Sequence, residues 1–318
     1  TFSSHRRRLS GVAYTNDGRR IATSGMDCCV HLWEANERWP VKTYSAPCPV
    51  SDVCFSPDDE KVAAALWNGS IHVYDVHETT LLHTLNIGNN ASLQRVSWRP
   101  NGRNLAVCDA SGSAFIIDAV TGARAATGLR MHSLRATTCS FDGDAGSGLY
   151  GGSLFDGGAD VDKRRLLLTT AADGEISVCA ATAGVQLWRY PQFNETLSTL
   201  DDIAAEPTFV CASPDGSFVV IGSRDGAVGV LDCQFREFTL FHRFNRPVTA
   251  LALSPNTSMI AAAHGGGDVF LFERKTKSIR WTSEAVGGLP SAIHALAFDK
   301  RNETVAVGND ACVAVLLS

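Results

Sequence analysis

An all-β, repetitive fold is what this chain of 318 residues predicts, on three observations. Short runs such as GVAYT, DVCFS, RVSWR, FVCAS and ALALS alternate apolar and polar residues with a period of two, the pattern of half-buried strands. Turn residues follow each run at Asn16-Asp17-Gly18, Pro57-Asp58-Asp59, Pro100-Asn101-Gly102, Pro214-Asp215-Gly216 and Pro255-Asn256. The whole unit recurs at roughly 40 residues, the spacing of a four-stranded propeller blade. The expectation is a seven-bladed β-propeller of four-stranded antiparallel blades, the last blade lacking its own outer strand.

The elements follow in order within each unit. After the first strand and its turn comes a second strand of small and aliphatic residues: RIATSG, KVAAAL, NLAVCD, FVVIGS, MIAAAH. A second turn leads to a third strand: VHLWE, IHVYD, AFIID, VGVLD, VFLFE. A less regular fourth follows, as in LLHTL or EFTLFHRF. Residues 132–190 and 291–318 carry two further copies, the former through RATTCSF and LLLTTAADGEISVCA, the latter through IHALAF, TVAVGN and CVAVLL. The blades are expected at about residues 5–45, 46–87, 88–129, 130–191, 202–244, 245–284 and 289–318, as one domain. The final copy has three strands, so ring closure requires either a brief pairing by Thr1-Phe2 or residues upstream of Thr1.

The residues that recur at matching places give this unit a family likeness. His5, Thr23, Asp27 and Trp33 stand before strand one, late in strand two, in the following turn and at the end of strand three. The unit resembles the WD40 repeat, over essentially the whole chain. Glu34 stands where that family closes with Asp, and the other copies are eroded. The fourth keeps His132, Thr169 and Asp173 but has Cys179 in place of Trp. The resemblance implies that each tetrad is a buried hydrogen-bond chain and not a catalytic relay, although His, hydroxyl and carboxylate are also the ingredients of a triad.

Composition narrows the function classes. The chain is 45% hydrophobic and 19% charged, enough to bury a core, and its net charge of -5 gives no general push towards nucleic acid or anionic membrane. No apolar run approaches the roughly 20 residues that span a bilayer. The ten cysteines lie mostly within apolar strands without metal-type spacing, which fits a reducing, intracellular setting, cytoplasmic or nuclear. No cofactor is expected, and no metal, since no His or Cys group has zinc-ligand spacing. The run His264-Gly265-Gly266-Gly267-Asp268 lacks the Lys-Ser/Thr and helix of a phosphate loop and reads as a turn.

Binding is therefore the expected activity. In a propeller the loops before strand one and between strands two and three open on one face. The residues just before the second turn project there: Met26, Trp67, Ala110, Ala172, Arg224, Gly265 and Asn309. The loop before strand one adds Arg7 with its flanking arginines, and Arg246 in the sixth copy. Arg7, Met26, Trp67, Arg224 and Arg246 make up the expected partner-binding face, Trp and Arg being the residues enriched at binding hot spots. It suits a peptide with an acidic and an apolar residue. The glycine-rich insertion 143–162 and the connection 191–207 interrupt the regularity, and the basic clusters Lys163-Arg164-Arg165 and Arg274-Lys275 with Lys277 read as solvated edges. The expected function is a non-enzymatic protein-interaction scaffold within a larger polypeptide or complex. The alternatives are an RNA-binding propeller of a ribonucleoprotein or ribosome-assembly particle, which needs a continuous basic face, and a propeller hydrolase. The hydrolase needs inward carboxylates or histidines, whereas strand one offers mostly Ala, Val, Leu, Cys and Phe.

Overall fold

A computed structural model describes residues 2–35, 37, 39–78, 80–87, 91–99, 102–124, 129–130, 132–133, 136–141, 166–171, 176–180, 185–190, 207–213, 217–232, 238–283, 291–299, 304–310 and 313–317. The first blade shows how the sequence makes a sheet. Strands Leu9–Tyr14, Arg20–Gly25, Cys29–Glu34 and Lys42–Ser45 pair in order, each antiparallel to the last. Thr15 closes the first turn, its N–H donating to the Arg20 carbonyl (3.0 Å) while Gly18 donates back to Thr15 (3.0 Å). Gly18 adopts φ 69°, and Asp59, Gly102 and Thr257 take the same left-handed conformation in equivalent turns.

The same four-stranded antiparallel order is built on the innermost strands Val50–Phe55, Leu93–Trp98, Ala136–Phe141, Pro207–Ala212 and Val248–Leu253. The last sheet starts at Ile293–Phe298 and adds Val305–Asn309 and Val313–Leu317. Its fourth strand is Phe2–Ser3, with Phe2 opposite Ala314 and Ser3 opposite Val313. Of the expected Thr1-Phe2 pairing, Phe2 stands in the ladder together with Ser3, and Thr1 lies outside the described residues. Each innermost strand packs against the innermost strand of the next sheet, and Ile293–Phe298 packs against Leu9–Tyr14, so the row returns to its start. This is an all-β propeller of four-stranded antiparallel sheets.

The core lies between blades. Val30, Leu32 and Tyr44 of the first sheet pack with Val53, Val62 and Tyr74 of the second. Leu9, Ile21 and Trp33 pack with Ala295 and Ala306 on the other side. A half-buried sheet has two faces to cover, and a neighbour on each side covers both. Small residues in the second strands, such as Ala63 and Ala65 or Ala261 and Ala263, let neighbouring sheets approach.

One irregularity repeats in every sheet. The ladder between innermost and second strands shifts register at Leu9/Gly11, Val50/Asp52, Leu93/Arg95, Ala136/Thr138, Pro207/Phe209, Val248/Ala250 and Ile293/Ala295. Each shift is a bulge that leaves one residue outside the ladder and re-aims it. Those residues are Ser10, Ser51, Gln94, Thr137, Thr208, Thr249 and His294, all polar.

Insertion 143–162, the 191–206 connection except its end at Pro207, and Lys163–Arg165 lie outside the described residues. Arg274 departs from expectation: its Nε donates to the Thr257 carbonyl (2.8 Å) and its guanidinium lies 4.6 Å from the centre of the Phe218 ring on the preceding blade.

Candidate binding face and channel mouth

The loop ahead of the first blade is fastened to the turn at residues 26–27. Trp33 Nε1 donates to Thr23 Oγ1 (2.9 Å), Thr23 Oγ1 bonds His5 Nε2 (2.8 Å), and His5 Nδ1 bonds Asp27 (3.0 and 3.1 Å to its two oxygens). One tautomer serves the whole chain: a neutral imidazole protonated on Nδ1 accepts from the threonine and donates to the carboxylate. Burial lowers the His5 pKa despite the pull of Asp27, in keeping with that neutral form. Burial pushes Asp27 up, but the bonds from His5 and from the Arg6 N–H (2.8 Å) leave it below the usual carboxylate range. In the fourth copy His132 Nε2 bonds Thr169 Oγ1 (2.9 Å); Asp173 lies outside the described residues.

His5, Asp27 and His31 place donor atoms within 4.8 Å of one another. Both His5 nitrogens are already engaged and His31 Nδ1 bonds Thr43 Oγ1 (2.8 Å), so a metal ion there would have to break the tetrad.

The Met26 N–H donates to the Arg8 carbonyl (2.9 Å), and Trp67, Ala110 and Gly265 make the equivalent bond to Pro49, Ser92 and Pro247. In the last blade the equivalent donor is Asp310, bonded to the Ala292 carbonyl (3.1 Å). Asn309, expected to project, instead pairs with Ile293 in the ladder and is buried. The face position there belongs to Asp310, one residue on.

Met26 and Trp67 meet at a cavity of about 230 Å³ whose walls also include Arg8, Arg95, Phe209 and six bulge residues from the innermost strands. Trp67 is 47% exposed. Arg7, Arg224 and Arg246 are exposed, but Arg8 is the arginine of its loop that lines the cavity. Arg8 was expected only as a flank of Arg7, and sequence reasoning passed over Arg95 and His294, because a bulge cannot be read from an alternating pattern: it changes which residue of the alternation faces inward.

Beneath the mouth the channel carries charge, contrary to the apolar wall expected of strand one. Arg95 Nη1 donates to Asp52 Oδ1 (3.2 Å) and to the Ser10 carbonyl (3.4 Å), and the guanidinium sits 4.8 Å from the Phe209 ring centre. Asp52 also accepts from the Val96 N–H (3.1 Å). Burial pushes the Asp52 carboxyl up, against the pull of Arg95. Room for Asp52 comes from Gly11, where a Cβ would lie 2.8 Å from Asp52 Oδ1 and 2.9 Å from the Val53 nitrogen. His294 Nε2 bonds Asp310 Oδ1 (2.7 Å), and burial together with nearby Arg8 lowers its pKa.

Another exposed aromatic, Trp39, also escaped sequence reasoning. It is 74% exposed and lies between the third and outer strands of the first blade, hence at the opposite end of the sheet from Met26.

The fold and the tetrad of its first blade define a β-propeller in which the loop ahead of that blade is tied to it by hydrogen bonds. Residues 1–34, 38–75 and 196–232 match the family model described as WD domain, G-beta repeat, and the chain carries WD40 repeats. It is 25% identical over 189 residues to the Protein LST8 homolog of Drosophila melanogaster, covering 56% of this chain and 53% of that protein. It is 22% identical over 116 residues to the Target of rapamycin complex subunit LST8 of Saccharomyces cerevisiae, covering 36% and 38%. It is 27% identical over 84 residues to the U3 snoRNP-associated protein-like EMB2271 of Arabidopsis thaliana, covering 26% and 18%. The chain thus matches about half or less of the length of these relatives.

Proposed function

We propose that the chain is a seven-bladed, single-domain, non-catalytic scaffold that holds protein partners on the face around Trp67. The observation that carries this reading is the cavity at the channel mouth, where a half-exposed Trp67 meets Met26 and is rimmed by arginines. An exposed large aromatic beside a depression, on a frame held by inter-blade packing, is what a hot spot requires. Relatives named as target of rapamycin complex subunits support a role as an intracellular complex subunit. The tetrad His5–Thr23–Asp27–Trp33 and the pair His132–Thr169, which Asp173 is expected to extend, serve to hold the loops of that face.

The test compares proteins captured by the chain with those captured by a Trp67→Ala, Arg224→Glu variant of equal thermal stability. The variant is expected to lose partners. Equal recovery of every partner by both chains removes this face from consideration. An RNA reading draws on the snoRNP-associated relative alone. It expects RNA to copurify and to dissociate as salt is raised.

A further inference from the structure

The mouth of the channel is selective in its chemistry. The chain has 33 Asp and Glu against 28 Lys and Arg, yet among the described residues no carboxylate lines the cavity, which takes Arg8, Arg95 and His294. Two neighbouring acids among the described residues are committed: Asp52 to Arg95 and the Val96 N–H, Asp310 to His294. Arg8 has no carboxylate partner among the described residues. Arg95 is fixed by Phe209 and through Nη1, while its Nε and Nη2 make no hydrogen bond among the described residues. Those two nitrogens form the edge of a guanidinium that grips a carboxylate with two parallel bonds.

The bulge hydroxyls supply the complementary half. Ser10 bonds the Val50 carbonyl, Ser51 the Ala65 carbonyl (3.0 Å), Thr208 the Val248 carbonyl (2.8 Å) and Thr249 the Ala263 carbonyl (3.4 Å). With their protons used, these oxygens remain as acceptors, suited to the N–H groups of a peptide and not to its carboxylates. Trp67 and Met26 give the same opening an apolar lip.

We propose that the channel mouth is a receptor for an acidic side chain of a partner peptide: its carboxylate takes the Nε–Nη2 edge of Arg95 under Arg8, and an apolar neighbour in the peptide rests on Trp67 and Met26. This deepens the scaffold reading and rests on it. Two side chains fix the register, and the fixed arginine has little freedom left to lose on binding.

The experiment uses a random peptide library displayed on phage, selected on the immobilised chain, followed by fluorescence anisotropy of the enriched peptide in synthetic form. The expected peptide carries Asp or Glu at one fixed position near an apolar residue. Replacing that acid by its amide, or introducing Arg8→Glu or Arg95→Lys, is expected to weaken binding by about tenfold or more. Arg95→Lys keeps the charge beside Asp52 and removes only the forked edge. Enriched peptides without an acid that still depend on Trp67 overturn the carboxylate receptor and leave the scaffold reading standing. Peptides indifferent to Arg8→Glu, Arg95→Lys and Trp67→Ala overturn both. A poly(U) oligonucleotide that binds the chain and displaces the peptide also overturns the carboxylate receptor.

Discussion

Asp27 is the residue on which the first tetrad turns, because it alone accepts from both His5 and the Arg6 backbone. Asp27→Ala is expected to cost on the order of 2 kcal/mol or more by leaving the buried His5 Nδ1–H without an acceptor. A thermal melt equal to that of the parent chain would refute this. The histidines set the response to acid. Burial lowers both His5 and His31, the latter to about 4, so the unfolded chain, whose histidines titrate near the ordinary 6.5, binds more protons across that interval. Their contribution to stability is fully present above the ordinary value and is lost as pH falls from there towards the folded values, at up to about 1.4 kcal/mol per pH unit for each. Melting temperature is expected to fall between pH 7 and pH 5, with a shallower slope in His31→Gln. An unchanged slope would place the acid sensitivity elsewhere.

At the scale of the strand and turn, the repeats explain their own exceptions. After the second strand, Gly69, Gly112, Gly226 and Gly267 adopt φ between 81° and 93°, while the first blade puts Cys28 there at φ 65°. A side chain in that region is strained, so Cys28→Gly is expected to be neutral or to stabilise by up to about 1 kcal/mol, read by denaturant unfolding. Gly11 is the reverse case. A methyl there would lie 2.7 Å from Ser24 Oγ and 2.9 Å from the Val53 backbone nitrogen. Gly11→Ala is therefore expected to cost about 1–3 kcal/mol, and a neutral result would mean that the two innermost strands can separate freely. The alternation of GVAYT and its relatives made these strands legible, and the turn residues placed their ends. The bulges were not legible, because a polar residue at a strand start is equally compatible with an unbroken ladder. Asn309 was expected on the face for a different reason: Asp310 was read as the turn acid that follows the face position, whereas Asp310 itself occupies that position.

Across the described residues, the ring is joined by apolar packing between sheets and, near its axis, by the charged pair of Asp52 and Arg95. Asp52→Ala would leave Arg95 without its carboxylate and is expected to lower stability by about 1–3 kcal/mol in a single cooperative transition. Loss of cooperativity instead would show that the blades unfold independently. The sequence by itself determined the four-stranded antiparallel blade and the recurrence of that blade, because period, turn chemistry and spacing are local properties repeated along the chain; the members of the first tetrad came from the resemblance to the WD40 repeat. Met26 and Trp67 were also legible, since their place before a turn follows from the repeat. Only the tertiary structure decided that Arg8 and not Arg7 enters the cavity, that Asp52 and Arg95 pair within the channel, and that Phe2–Ser3 supplies the fourth strand of the last sheet. Each of those contacts joins residues far apart in the chain or turns on a one-residue shift in register, and neither the reach of a side chain across the axis nor that shift is written in a local pattern.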